Sequence, residues 1–141
     1  MRRLGVRFAG YAAIFDRPDR GGDVIRRGAF AASLAGIGDA AGSVPLLWQH
    51  KPGEVIGRVT RVEEDSRGLR VIGELGGDAD ALRAAGLVAS GALDGLSFGY
   101  RVGRSARANG VRELHELELV EVSLVASPMQ KLARVHAVER G

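Results

Sequence analysis

The chain has 141 residues, a formal net charge of +3, a sequence pI near 9.9 and no cysteine. That length suits one domain, 1–141, with a core that needs neither disulfides nor metals, and the lack of cysteine excludes disulfide frameworks, thiolate zinc sites and cysteine nucleophiles. The basic residues are almost all arginine, scattered among the acids, and only 5% of residues are aromatic, so nothing forms the basic patch or stacking platform that nucleic acid would need.

Residues 6–15, Val-Arg-Phe-Ala-Gly-Tyr-Ala-Ala-Ile-Phe, form a β-rich start interrupted by Gly10, and 16–23 are rich in turn residues. Val24-Ile25 resumes a strand briefly. The alanine-rich segment 29–34 predicts one or two helical turns ending near Gly36, and 39–43 is small and flexible. Residues 44–48 predict a short buried strand. Pro52-Gly53 would turn the chain into the next strand, 54–62. A polar hairpin loop at 63–68 and a partner strand at 69–75 complete three strands in antiparallel order.

Asp78 is placed to cap a helix over 79–90, with Ala81, Leu82, Ala85 and Val88 or Ala89 near one face and Gly91 ending it. A strand carrying Ser97 follows, then a polar loop over 104–110 with an Asn109-Gly110 turn, and a long β-rich run over 111–125 closed by Ser127-Pro128. The expected architecture is α+β: a mainly antiparallel β-barrel or curved sheet flanked by a few helices. No apolar stretch reaches the length of a membrane span, and Met1-Arg-Arg is not followed by a signal-type core. A soluble protein without a membrane partner is expected.

The stretch Gly91-Ala-Leu-Asp-Gly-Leu-Ser-Phe-Gly-Tyr100 carries the candidate chemistry. Ser97 sits on a strand-like run, with Gly95 and Gly99 leaving backbone room for an acyl group, and a serine nucleophile needs a neighbouring base. The chain has three histidines. His50 ends an apolar run at a turn and is poised as that base; His115 lies in a charged, exposed stretch, and His136 lies near the chain end, where disorder is common. None shows the His-Glu-x-x-His spacing of a zinc enzyme, and the glycine-rich segments lack a phosphate-binding fingerprint, so neither metal nor cofactor is expected. A third group would fix the imidazole tautomer. Glu118 and Glu121 both lie in an otherwise apolar run; Glu121, flanked by Val120 and Val122, is the harder to explain as a solvent-facing residue.

The ordered set Gly10-Tyr-Ala-Ala-Ile-Phe-Asp16, Gly22-Asp23, Arg27-Gly-Ala-Phe30, Leu47-Trp-Gln-His50, Ile56-Gly-Arg58, Leu93-Asp-Gly-Leu-Ser-Phe-Gly-Tyr100 and Glu121-Val-Ser-Leu-Val125 with Pro128 resembles the prohead maturation proteases of tailed bacteriophages, related in fold to herpesvirus assembly proteases. The resemblance covers nearly the whole chain. It implies a serine endopeptidase inside the assembling procapsid, in the host bacterial cytoplasm, which cleaves the scaffold-like N-terminal segment of the major capsid protein and then itself. It implies Ser97 as nucleophile, His50 as base and Glu121 as third member. His115 stands open for that place because the herpesvirus branch uses a histidine there, and Glu118 because of strand register. The herpesvirus branch also points to a homo-oligomer, and the composition would suit a gene transfer agent. The oxyanion hole is expected near Ser127-Pro128. The competing expectation is a non-catalytic scaffolding factor on the same fold.

Overall fold

The computed structural model describes residues 5–140, so the Met1-Arg-Arg start lies outside them. In chain order the elements are β1 (Val6–Ile14), β2 (Asp23–Ile25), α1 (Ala31–Ile37), β3 (Pro45–Trp48), β4 (Lys51–Glu64), β5 (Gly68–Leu75), α2 (Ala79–Ala89), β6 (Gly95–Ala108), β7 (Val111–Val125) and β8 (Val135–Arg140). The strands join one mixed sheet in the order β2-β7-β3-β4-β5-β1-β8, with β6 along the other edge of β7. Among the described residues this sheet does not close into a barrel.

The sheet departs from antiparallel order at β7, where β2 pairs in parallel at residues 112–114 and β3 at 122–124. A parallel return needs a crossover long enough to carry the chain back, and residues 26–44 with α1 supply it. The three consecutive strands β3, β4 and β5 are antiparallel, as the sequence predicts.

The Asp78 carboxylate accepts a 2.9 Å bond from the Ala81 N–H and caps α2. The buried stripe of α2 is Ala81, Ala84, Ala85 and Val88; Leu82 is 36% exposed, because one residue of helix turns it about 100° off that stripe. Fully buried Phe30, Leu46, Leu69, Leu96, Leu117 and Leu124 anchor the core between the sheet and its covering elements. The Phe30 ring meets Phe98 edge-on at 5.2 Å, tying the start of α1 to the strand that bears Ser97.

Four boundaries differ from the sequence reading. β6 continues to Ala108 where a polar loop is expected, since it pairs with β7 up to the Asn109-Gly110 turn. Both faces there meet water, so the composition carries no strand signature. Ala41–Ser43, expected to be flexible, forms a 3-10 turn with Ala41 buried. His136, expected in a disordered end, lies in β8, which pairs with β1, and its ring lies 5.8 Å from that of Tyr11.

The fourth difference concerns the turn before β4. Pro52-Gly53 lies inside β4 instead of turning the chain. Trp48 already pairs with Lys51, so the reversal is made by the two residues between them, Gln49 at φ 52° and His50 at φ 61°. Two successive positive-φ residues give the hand of turn that matches strand twist in a two-residue hairpin, although neither is the glycine or asparagine that such a turn favours.

Candidate active site

β7 organises the site because strands bearing different side chains pair with its two edges. On one edge Ser97 lies opposite Ser123, and Gly99 opposite Glu121. On the other, Leu47 pairs with Ser123 and Trp48 with Leu124, and the Gln49 N–H donates 2.9 Å to the Leu124 carbonyl, carrying the pairing into the turn that holds His50. The β6–β7 register skips Val120, so Leu117, Leu119, Val122 and Leu124 lie on the hydrophobic-core face, whereas Glu118, Glu121 and Ser123 lie on the face that carries Ser97, Gly99 and Arg101. Glu118 and Glu121 therefore share a face, and depth separates them: Glu121 is buried at the site and Glu118 is exposed beyond it.

The His50 Nδ1 meets Glu121 Oε1 at 2.5 Å, and the Ser123 hydroxyl donates 2.6 Å to Glu121 Oε2. The His50 backbone N–H donates 3.1 Å to the same Ser123 oxygen. A buried carboxylate is strongly destabilising when unpaired; here both oxygens are engaged. The hydrogen bond to Glu121 holds the His50 imidazole above its ordinary pKa; burial pulls the other way, and the carboxylate charge adds to the rise.

Ser97 and His50 both line a cavity of about 600 Å³, together with Ala126, Ser127, Met129 and Gln130. Asp23, also on its wall, is neutralised by two bonds from Arg112, at 2.9 and 2.8 Å. The geometry is that of a hydroxyl and a carboxylate-oriented imidazole facing one space large enough for a peptide segment. Glu118 is on the outer surface with Arg101 at 3.1 Å, and His115 bonds Glu113 at 3.1 Å, a carboxylate that also takes Arg26. These two, and His136, lie outside the cluster.

Residues 3–141 match the family described as caudovirus prohead serine protease. The chain belongs to that family. The prohead protease of Enterobacteria phage HK97 is 36% identical over 102 residues, which cover 69% of this chain and 43% of that protein, so the chain spans less than half the length of this curated relative. The fold is shared with herpesvirus proteases. The varicella-zoster virus protease superposes with a TM-score of 0.58 at 16% identity, covering 96% of this chain and 64% of that one. The KSHV protease in complex with a hexapeptide phosphonate inhibitor gives 0.53 at 14% identity, over 85% of this chain and 59% of that one.

In this prohead protease family member two features of the site escape a reading of the sequence. Ser123 is fully buried and touches both His50 and Glu121; its signal is present, since a hydroxyl two residues after Glu121 shares that residue's face and needs a partner when buried there. The glycines around Ser97 have a packing role within the fold. A Cβ at Gly99 would lie 2.5 Å from Glu121 Oε1, and one at Gly95 would lie 2.4 Å from the Val125 carbonyl oxygen and 3.0 Å from Pro128. Gly99 makes room for the carboxylate, and Gly95 for the close packing of β7 and the loop beyond it.

Proposed function

We propose that the chain is a serine endopeptidase of capsid maturation, with Ser97 as nucleophile, His50 as general base and Glu121 as the group that orients it. The observation that carries this reading is the 2.5 Å His50–Glu121 bond beside the cavity on which Ser97 opens. With Nδ1–H donated to Glu121, Nε2 is the ring nitrogen left to take a proton. His50 Nε2 accepts the Ser97 hydroxyl proton as Oγ bonds to the scissile carbonyl carbon, and the carbonyl π electrons move onto oxygen. The tetrahedral intermediate collapses, the C–N bond breaks, and Nε2–H protonates the leaving amine. Water then attacks the acyl-enzyme with the same base, releasing the new carboxylate and restoring Ser97.

Backbone N–H groups of the cavity loop at 126–130 are the proposed oxyanion donors. The Ala126 N–H already donates 3.2 Å to Gln49 Oε1, which leaves the role to residues beyond it. The proposed substrate is the major capsid protein, cut at its scaffold-like N-terminal segment, followed by self-cleavage, within the procapsid assembling in the bacterial host's cytoplasm.

The test is co-expression with the capsid protein, wild type beside Ser97→Ala, read by intact mass spectrometry. An N-terminal segment lost only with wild type is the expected result. Cleavage surviving in Ser97→Ala would overturn the nucleophile. A full-length capsid protein in both samples, with assembly still dependent on the chain, would replace the protease with a scaffolding factor.

A further inference from the structure

The Ser123 hydroxyl stands in a position that orienting Glu121 alone does not require. It is fully buried near the C-terminal end of β7. Its proton goes to Glu121 Oε2, at 2.6 Å, and its oxygen accepts the His50 backbone N–H, at 3.1 Å. One hydroxyl therefore holds the carboxylate by one oxygen, leaving Oε1 aimed at the imidazole, and holds the backbone from which that imidazole projects. The second bond has particular weight because His50 occupies φ 61°, a conformation disfavoured for a residue with a side chain unless its surroundings fix it.

We propose that Ser123 is a positioning residue of the site: a buried hydroxyl clamp that locks the Glu121 carboxylate and the His50 turn into one rigid unit. This rests on the reading of His50 and Glu121 given above and assigns Ser123 a part in it. Ser97 and Ser123 face each other across the β6–β7 ladder, so the clamp is in register with the nucleophile it serves. Without the hydroxyl the carboxylate is free to rotate and the turn loses its anchor, and a base displaced by an ångström lowers the rate steeply. Arg17, Asp19, Arg20 and Asp23 line the same cavity, but the electrostatic influence on the imidazole comes from Glu121. The clamp therefore acts on His50 through that single carboxylate.

Two measurements on the full chain test this. In the first, Ser123→Ala is compared with wild type, Glu121→Gln and the double variant for kcat and KM on a capsid-derived peptide. The expectation is a fall in kcat of about 10- to 100-fold with KM little changed, and no further loss when Ser123→Ala is added to Glu121→Gln, because the two act as a unit. In the second, the His50 imidazole is titrated by NMR in a Ser97→Ala background, with and without Ser123→Ala. The clamp predicts that removing the hydroxyl lowers the His50 pKa toward its ordinary value as the pair loosens.

A fully additive double variant, or a His50 titration that stays put or moves upward while only thermal stability falls, would overturn the clamp. The outcomes stay separate from those for the protease itself. If Ser97→Ala abolishes cleavage while Ser123→Ala leaves kcat and titration alone, only the clamp fails; if Ser97→Ala still cleaves, the nucleophile assignment fails, and the titration still reports on the clamp.

Discussion

The two ends of the β6–β7 hairpin are built from the same kinds of residue and behave in opposite ways. At the inner end Gly99 faces Glu121, and the carboxylate is buried, with His50 on one oxygen and Ser123 on the other. At the outer end Arg101 pairs with Glu118 in open solvent, and Gly103 lies against the exposed Glu116 side chain. Three residues of one strand separate a carboxylate that must be fully partnered from one to which water is available. An exposed ion pair is worth little, whereas removing one member of a buried set leaves the others uncompensated. Position along a single ladder, more than residue type, decides which glutamate is available for chemistry.

The sharpest way to break this contrast is to neutralise each glutamate in turn. Glu121→Gln should lower kcat/KM about 100-fold or more, since the imidazole loses the group that fixes its tautomer and balances its charge. Glu118→Gln should leave cleavage unchanged and shift stability by no more than about 0.5 kcal/mol. Peptide cleavage assays and thermal melts of the two variants side by side would read the difference, and equal losses would remove the distinction.

A smaller effect is expected from adding a methyl group at each end. Gly99→Ala would place Cβ 2.5 Å from Glu121 Oε1 in a packed site and should destabilise by about 1–3 kcal/mol, with a parallel loss of activity. Gly103→Ala meets Glu116 Oε1 at 3.0 Å, the end of an exposed side chain, and the Glu116 carbonyl oxygen at 3.3 Å, a milder contact that should cost about 1 kcal/mol or less. Chemical denaturation of both variants checks the ranking.

The subtlest comparison uses pH. With His50 as the proposed base, cleavage needs its imidazole neutral, and the Glu121 bond holds the imidazole pKa above 6.5, so cleavage should rise with pH through a midpoint above that value. Because the folded pKa is raised, the stabilisation from the protonated pair is fully present below 6.5 and disappears as pH rises through the higher folded value. Glu118→Gln should leave the midpoint of the pH–kcat/KM profile in place. A wild-type midpoint at or below 6.5 would contradict the pairing.

Much of this was legible in the sequence, and the reasons it stopped are physical. The Asp78 cap, the antiparallel run β3 to β5 and the Asn109-Gly110 turn follow from local rules, and residues 91–100 and His50 stood out because glycines, a hydroxyl and a turn histidine are unusual company in apolar runs. Glu118 and Glu121 sit in the same apolar run, and the irregularity at Val120 brings both to one face while burying only Glu121, a feature that residue spacing alone does not announce. The parallel placement of β2 and β3 on β7 is a long-range choice that no local pattern announces. The Gln49-His50 turn was masked by Pro52-Gly53, a stronger turn signal that the structure places within a strand. The clamp of Ser123 depends on that turn and was hidden with it.

The separation of 71 residues between His50 and Glu121 has a consequence for timing. Ser97 and Glu121 are brought onto neighbouring strands by a local hairpin, which closes readily, but the histidine joins them only when β3 docks in parallel from far back along the chain, a slow class of contact. During synthesis the histidine emerges long before its carboxylate exists. The proposed Ser97–His50–Glu121 cluster is thus withheld until residue 123 has been made and β7 has found β3, so a growing chain carries the parts of the site unassembled.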